Sequence, residues 1–447
     1  MPFSHLPAQL SAWFSALTAA LDKRSAPRLA LLLQGALFAA GRRTVTSWLR
    51  AAGITEGFRA AYNALFAAGR RCRRIATYLL LFVLKPLISL VAGDRLLLAI
   101  DDTPTKRYGP AIQGAGMHHN PTPGPAGEKH LYGHLWVTLA WLAPHPLFGV
   151  LALPLWALLY VRQQDVPRLN QEYPWAFRTK LELAVELLSW LLVWLNGAGK
   201  AVWVVADGAY AKAPFLRPLL AKGVVVVSRL RKDAHLCDLP PTQRRPGQRG
   251  PMPTYGKNRI ELAKRAGQRR GWQQVRWVQY GESVVKTVKT FLATWQPAGG
   301  VIRGVLVQEE DGWLAFFRTD PSASVPAILE AMAARGAIEQ TFKDVKEVWG
   351  AQQQQVRNVC ACVGAFNLNL WMYSLVEAWA WAMPEEELVD RRRRCPWDSE
   401  PRRPSHADKC KALQRVALRG EIAAALAGRP SKEDFRALAE RLLDLAA

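Results

Sequence analysis

The chain has 447 residues, half of them hydrophobic, which is enough for two or three domains with a sizeable core and excludes an intrinsically disordered chain. Its 59 Lys and Arg stand against 36 Asp and Glu, a formal charge of +23, so its long-range field attracts polyanions, nucleic acid first among them. The six cysteines (Cys72, Cys237, Cys360, Cys362, Cys395 and Cys410) are scattered, which argues against a disulfide framework or a structural zinc site and fits a reducing cytoplasm.

No charged segment precedes an apolar run in residues 1–14, so no secretory signal is read there. Residues 1–92 read as a helical, DNA-binding region. Ala-, Leu- and Arg-rich stretches at 29–41 and 58–78 flank GRRTVTSWLRAAGITEGF, where Thr44 or Thr46 caps a short helix ending near Gly53, beside Arg42, Arg43 and Arg50. A helix-turn-helix unit has this form, and so does any basic helical bundle.

At residue 95 the character changes. RLLLAIDDT is an apolar strand ending in Asp101 and Asp102, and HLWVTLAWL with LFGVLALPLWALLYV follows as a hairpin. Residues 135–161 carry no Lys, Arg, Asp or Glu and are long enough to span a bilayer, but Pro144, Pro146 and Pro154 break them into two buried strands. Residues 175–194 form an amphipathic helix, VWVVAD a strand ending at Asp207, and GVVVVSRL a further strand after a helix. Three strands and a helix, then strand, helix and strand, is the order of the ribonuclease-H-like fold. The expected class is therefore α/β, with a mixed-sheet core over 93–239 and 323–384.

Residues 240–322 interrupt that core. A Pro-, Gly- and Arg-rich loop leads into strand-like segments at 272–280, 283–294, 300–308 and 313–319, a mainly β insertion. Its basic edge, 244–270, suits phosphate contacts. Of Trp272, Trp277, Trp295 and Trp313, most are expected in the core of a small β layer and one is a candidate for stacking on an unpaired base. Residues 325–349 are helical, and helices continue to 383. Residues 385–447 read as a basic linker, with the run Arg391–Arg394, and a C-terminal helical region.

Three acids stand out. A carboxylate closing an apolar strand sits at the rim of a sheet, where it binds a hard cation through oxygen. Asp101 and Asp102 point to opposite faces of an extended strand, so only one faces the site; Asp101 is the choice and Asp102 the fallback. Asp207 repeats the arrangement, with Gly208 leaving the approach open. In AMAARGAIEQTFKDVKEVWG an apolar stripe of Ile338, Phe342, Val345 and Trp349 lies beside a second stripe of Arg335, Glu339 and Lys346. His118, His119, His130 and His134 have no CxxC pair beside them and read as packing or DNA-contact residues.

Arg335, Glu339 and Lys346, at this spacing, resemble the arginine–glutamate–lysine part of a signature of bacterial insertion-sequence DDE transposases. Met332 stands where the signature has a tyrosine, a departure that leaves the acid in place. AIDDT, VVADGAY and QQVRN (Gln354 to Asn358) also look like family blocks, so the resemblance covers about residues 90–375. It implies that Asp101, Asp207 and Glu339 bind two divalent cations, Mg²⁺ or Mn²⁺, for in-line attack on phosphorus. It implies phosphate contacts by Arg335 and Lys346, with Lys106 and Arg107 as further candidates. The implied partners are double-stranded DNA, both transposon ends and target, and a second copy of the chain in a synaptic homodimer. No membrane is implied, and the protein is expected in the cytoplasm, on the nucleoid when bound to DNA. A DDE-type nuclease or a domesticated DNA-binding protein is the alternative inside the family, with a membrane protein or a structural nucleic-acid binder outside it.

Overall fold

The computed structural model describes residues 6–120, 127–195, 199–243, 249–279, 281–389 and 402–426, with a few positions between 432 and 439. The Arg391–Arg394 run and residues 244–248 of the basic loop lie outside the described residues.

The first helices are α1 (Ala8–Thr18), α2 (Ala26–Phe38), α3 (Val45–Ala51), α4 (Arg59–Arg70), α5 (Cys72–Leu79) and α6 (Lys85–Val91). Among the described residues, twelve strands share one sheet: β1 (Arg95–Lys106), β2 (Gly116–His119), β3 (His130–His145), β4 (Gly149–Tyr160), β5 (Ala201–Ala206), β6 (Val225–Arg229), β7 (Leu236–Cys237), β8 (Arg259–Ile260), β9 (Gln273–Gln279), β10 (Glu282–Trp295), β11 (Gly300–Glu309) and β12 (Gly312–Arg318). The later helices are α7 (Val166–Asn170), α8 (Lys180–Leu195), α9 (Ala213–Leu220), α10 (Leu262–Gly267), α11 (Val325–Ala334), α12 (Gly336–Glu347), α13 (Val359–Ala380), α14 (Glu385–Leu388) and α15 (His406–Leu426).

The order β4–β3–β1–β5–β6 is a ribonuclease-H-like core. β3 is antiparallel to both β1 and β4, whereas β1, β5 and β6 are mutually parallel. The insertion does not form a separate layer. β12 pairs antiparallel with β6, Phe316 opposite Arg229, and β11, β10 and β9 extend the same sheet outward. The pairing removes the free edge that β6 would otherwise present.

Each face of the sheet buries its own set of apolar side chains. Leu96, Leu98 and Ile100 of β1 face one core, with Leu187, Leu191 and Phe215 from α8 and α9. Ala99, Trp203, Val205, Val227 and Val305 face the other, under Ile328, Leu329, Ile338 and Phe342 of α11 and α12. Each such aliphatic or aromatic side chain contributes about 1.5–3 kcal/mol when fully buried.

Residues 135–161 form β3 and β4, and α13 closes the outer edge of β4. Asn367 brackets the Ala157 N–H and C=O at 2.9 and 3.1 Å, Trp371 donates to Leu155 O at 3.0 Å, and Ser374 to Pro154 O at 2.7 Å. Pro154 is tolerated because it lies at a register shift on this edge strand. Among the described residues, two helical segments, Cys72–Val91 and Val359–Ala380, are long and apolar enough to cross a membrane, but the second is a core helix buried over most of its length. The N-terminal helices dock on α13 through small residues: a Cβ on Gly69 would fall 1.8 Å from Cys360 O, so α4 and α13 approach backbone to backbone. In α3 the capping residue is Thr44, whose hydroxyl accepts the Ser47 N–H at 3.1 Å, and Gly53 follows the helix at φ 72°.

Candidate active site

β1 does not end at its acids; it runs on to Lys106, paired with β3 throughout. The difference from the sequence expectation lies in which neighbour is considered. Pairing with β5 stops at Ile100 opposite Ala206, so Asp101 and Asp207 are each the first residue beyond the parallel ladder. They stand at its rim although β1 continues. Asp207 caps the turn Gly208–Tyr210, its carboxylate accepting the Ala209 N–H at 3.3 Å. A Cβ on Gly208 would come within 3.1 Å of Arg229 O, so a small residue keeps this turn close to β6.

The two adjacent aspartates have different surroundings. Asp102 lies on the α8 side, where Lys180 Nζ is 2.8 Å from Oδ2 and Tyr210 donates to Oδ1 at 3.0 Å. Asp101 lies on the α12 side, where Arg335 donates to Oδ2 at 2.7 Å. Burial pushes the Asp101 carboxyl up to about 6 against the pull of Arg335, and the neighbouring charges of Asp102 and Glu339 add to the rise. The Tyr210 phenol is raised well above its ordinary value by burial and by Asp102, so it remains a hydrogen-bond donor.

α11 and α12 follow one another with the backbone still helical at Arg335. Ile338, Phe342, Val345 and Trp349 are buried, which fixes the rotation of α12. Arg335, Glu339 and Lys346 then share the adjoining face. Arg335 donates to Glu339 Oε1 at 2.9 Å while its other terminal nitrogen holds Asp101, so one guanidinium bridges two acids that are 238 residues apart. Burial works against the Arg335 charge, but Asp101, Glu339 and Asp207 outweigh it and raise its pKa. Gly350 at φ 65° and the return of the Ala351 N–H to Val345 O at 3.1 Å stop the helix.

The structure therefore brings Asp101, Arg335 and Glu339 into contact, with Asp207 on the neighbouring strand. Lys346 is two helical turns farther along, half-buried, and burial lowers its pKa. Lys106 is exposed, 3.8 Å from Glu128. Arg107 is buried: it donates to His134 Nδ1 at 3.2 Å, to Gln354 O at 2.8 Å and to Gln352 O at 3.3 Å. His134 must accept at Nδ1, and its Nε2 donates to Gln113 O at 2.9 Å. Burial and Arg107 hold the ring neutral, with its pKa lowered to about 3. His118, His119, His130 and His134 lie on β2 and β3. Among the described residues, no three carboxylate, imidazole or thiol groups converge closely enough to hold a metal ion as they stand. Trp277 and Trp295 are core residues, while Trp272 and Trp313 are partly exposed, each with a lysine ammonium over its ring, Lys289 and Lys232.

The Lys180–Asp102–Tyr210 cluster and the double contact of Arg335 are absent from the sequence reading. Only the four-residue spacing of Arg335 and Glu339 signals part of it. The family model described as DDE superfamily endonuclease matches residues 14–283, more than half of the chain, taking in Asp101, Asp102 and Asp207 and stopping before α12. No curated protein matches the chain.

Proposed function

The chain belongs to the DDE superfamily endonucleases, and from that premise we propose that it is a DNA transposase, nicking transposon-end DNA and transferring the freed 3′ end to target DNA. The observation that carries the reading is the meeting of Asp101 and Glu339 on Arg335, beside β5 and the Asp207 that follows it.

The donor set fits a hard divalent cation. All three side chains offer carboxylate oxygens and are at least partly open to solvent, and a cationic group already lies between two of them. Asp101, Asp207 and Glu339 would hold Mg²⁺ or Mn²⁺, two ions in the full complex. When bound, such ions supply activation of the attacking hydroxyl and stabilisation of the leaving 3′ oxygen. The protein's own residues orient and neutralise. Asp102, saturated by Lys180 and Tyr210, fixes the register of β1 and leaves Asp101 free to face α12. Arg335 offsets the charge of the acids in the free protein and is positioned to contact a phosphate once DNA arrives. Lys346, on the same helical face, is the next phosphate contact. Strand transfer proceeds without a covalent protein–DNA intermediate.

The rest of the assignment follows the same reading. Residues 1–92 are a DNA-binding region, 93–239 and 323–384 the two parts of the catalytic core, 240–322 an inserted DNA-clamping element, and 385–447 a basic C-terminal region. Two copies act together on paired ends, in the cytoplasm and on the nucleoid. The test is an assay with the inverted repeats that flank the coding region, supplied as duplexes with pre-cut 3′-OH ends. Joining to a target plasmid in Mg²⁺ supports transposition. Cleavage without joining leaves a nuclease.

A further inference from the structure

A polar cavity lies beyond the acids, where three parts of the chain meet: the loop before α3, the end of β1, and the turn between α12 and α13. It encloses about 340 Å³, the small end of the range for ligand sites. Its walls include Arg42, Arg107 and Arg357 and, among the described residues, contain no carboxylate. Arg107 is 5% exposed, all its hydrogen-bond partners are neutral, and one terminal nitrogen has none. A buried guanidinium without a counter-charge is costly, and His134, held neutral beside it, does nothing to offset it. Gln354, also buried in the wall, fixes the geometry through Arg43 O at 3.0 Å and Gly350 O at 2.7 Å. Tyr108, 80% exposed, stands at the rim beside the exposed Arg42 and Arg357.

We propose that Arg42, Arg107 and Arg357 form a phosphodiester subsite for the DNA strand that enters the candidate active site, with Tyr108 stacking on the adjoining sugar or base. An anion between the three guanidiniums supplies the counter-charge that the described residues lack there. The position suits a continuous strand. Odd-numbered residues of β1 share a face, and Arg107 continues its ladder one residue on through its N–H to Tyr132 O at 3.0 Å, so Asp101 and Arg107 point the same way, about 20 Å apart at about 3.3 Å per residue. That distance is about six base pairs along a duplex at about 3.4 Å each. α12 spans the same interval, from Arg335 at Asp101 to the turn whose carbonyls Arg107 holds, with Lys346 between. The inference deepens the proposed function and rests on it for the identity of the strand.

The test uses the full-length protein with Arg42→Ser, Arg357→Ser and the double variant. Arg107 is left intact because it holds the Gln352–Gln354 turn. Fluorescence anisotropy in Ca²⁺ measures affinity for an end duplex over a range of salt. Each single change should lower the slope of log K against log salt by about 0.9 and the double change by about twice that. A methylphosphonate about six nucleotides from the cut should weaken binding by wild type and weaken the double variant, which keeps only Arg107, less. Wild-type slope in a folded double variant overturns the subsite. A thermal shift from inorganic phosphate that the double variant loses, with its DNA slope unchanged, makes this a small-anion site and overturns the DNA assignment. Nicking that survives Asp101→Asn undoes the proposed function instead, without altering the salt slopes.

Discussion

Replacing Arg335 with glutamine removes the charge that bridges Asp101 and Glu339. The two contacts differ in worth. The Glu339 side chain is 61% exposed, so its pair contributes at most about 0.5–1 kcal/mol after screening. The Asp101 side chain is 13% exposed, and leaving it unpartnered costs about 1–2 kcal/mol. In metal-free buffer the variant should therefore lose about 2 kcal/mol. With an unfolding entropy of about 2.1 cal/mol/K per residue, that lowers Tm by about 2–3 °C. A divalent cation should then do what the guanidinium does. In wild type it must displace Arg335; in the variant it meets open carboxylates, so Mn²⁺ should raise the variant's Tm more than the wild type's. Calorimetry in EDTA and across a Mn²⁺ titration measures both. Equal stability in EDTA, or an equal or larger metal gain in wild type, would refute the reasoning.

Asp101→Asn should abolish nicking, whereas Asp102→Asn, which loosens Lys180 and Tyr210, should retain nicking and lose stability; equal loss of nicking in plasmid assays would contradict the facing of β1. Lys409→Met leaves Glu377, 2% exposed and otherwise bonded to His406 at 2.6 Å, without its ammonium partner; chemical denaturation should show a loss of about 3–5 kcal/mol, largely recovered when Glu377 is also made Met. His134, with its folded pKa lowered to about 3 against about 6.5 unfolded, binds its proton in the unfolded chain first, so its contribution is complete above pH 6.5 and falls as pH drops toward 3. Urea unfolding between pH 7.5 and 5 should show a decline of up to about 1.4 kcal/mol per pH unit from this group, reduced in His134→Gln. Trp272→Ala or Trp313→Ala should spare first-strand nicking and block a later end-processing step; gel analysis of the products showing normal processing in both would remove base stacking from the insertion.

The parts of this molecule legible in the sequence are those set by local periodicity. The apolar runs before Asp101 and Asp207, the buried stripe Ile338–Phe342–Val345–Trp349 and the cap at Thr44 need only neighbouring residues to be read. So do the strands of the insertion, whose bounds fall within a few residues of the expected segments. What escapes is pairing between distant segments. Nothing local in FFRTD says that β12 will lie against β6 and make the insertion part of the main sheet. The two-residue period states that Asp101 and Asp102 diverge, but only the crossover to α12 determines which face carries Glu339. Arg107 enters as a phosphate contact implied by the resemblance, with nothing in the local sequence to bury it. It is buried because carbonyls 245 and 247 residues away fold over it.

The central claim is that Asp101, Asp207 and Glu339 together carry metal-dependent DNA cleavage, while the basic surface carries binding. The most direct measurement is nicking of end duplex in Mg²⁺ by Asp101→Asn, Asp207→Asn and Glu339→Gln, with gel-shift affinity measured on the same preparations. The account predicts no detectable nicking by any of the three and DNA affinity within a few-fold of wild type. Nicking at the wild-type rate by any one variant that still binds DNA would contradict it.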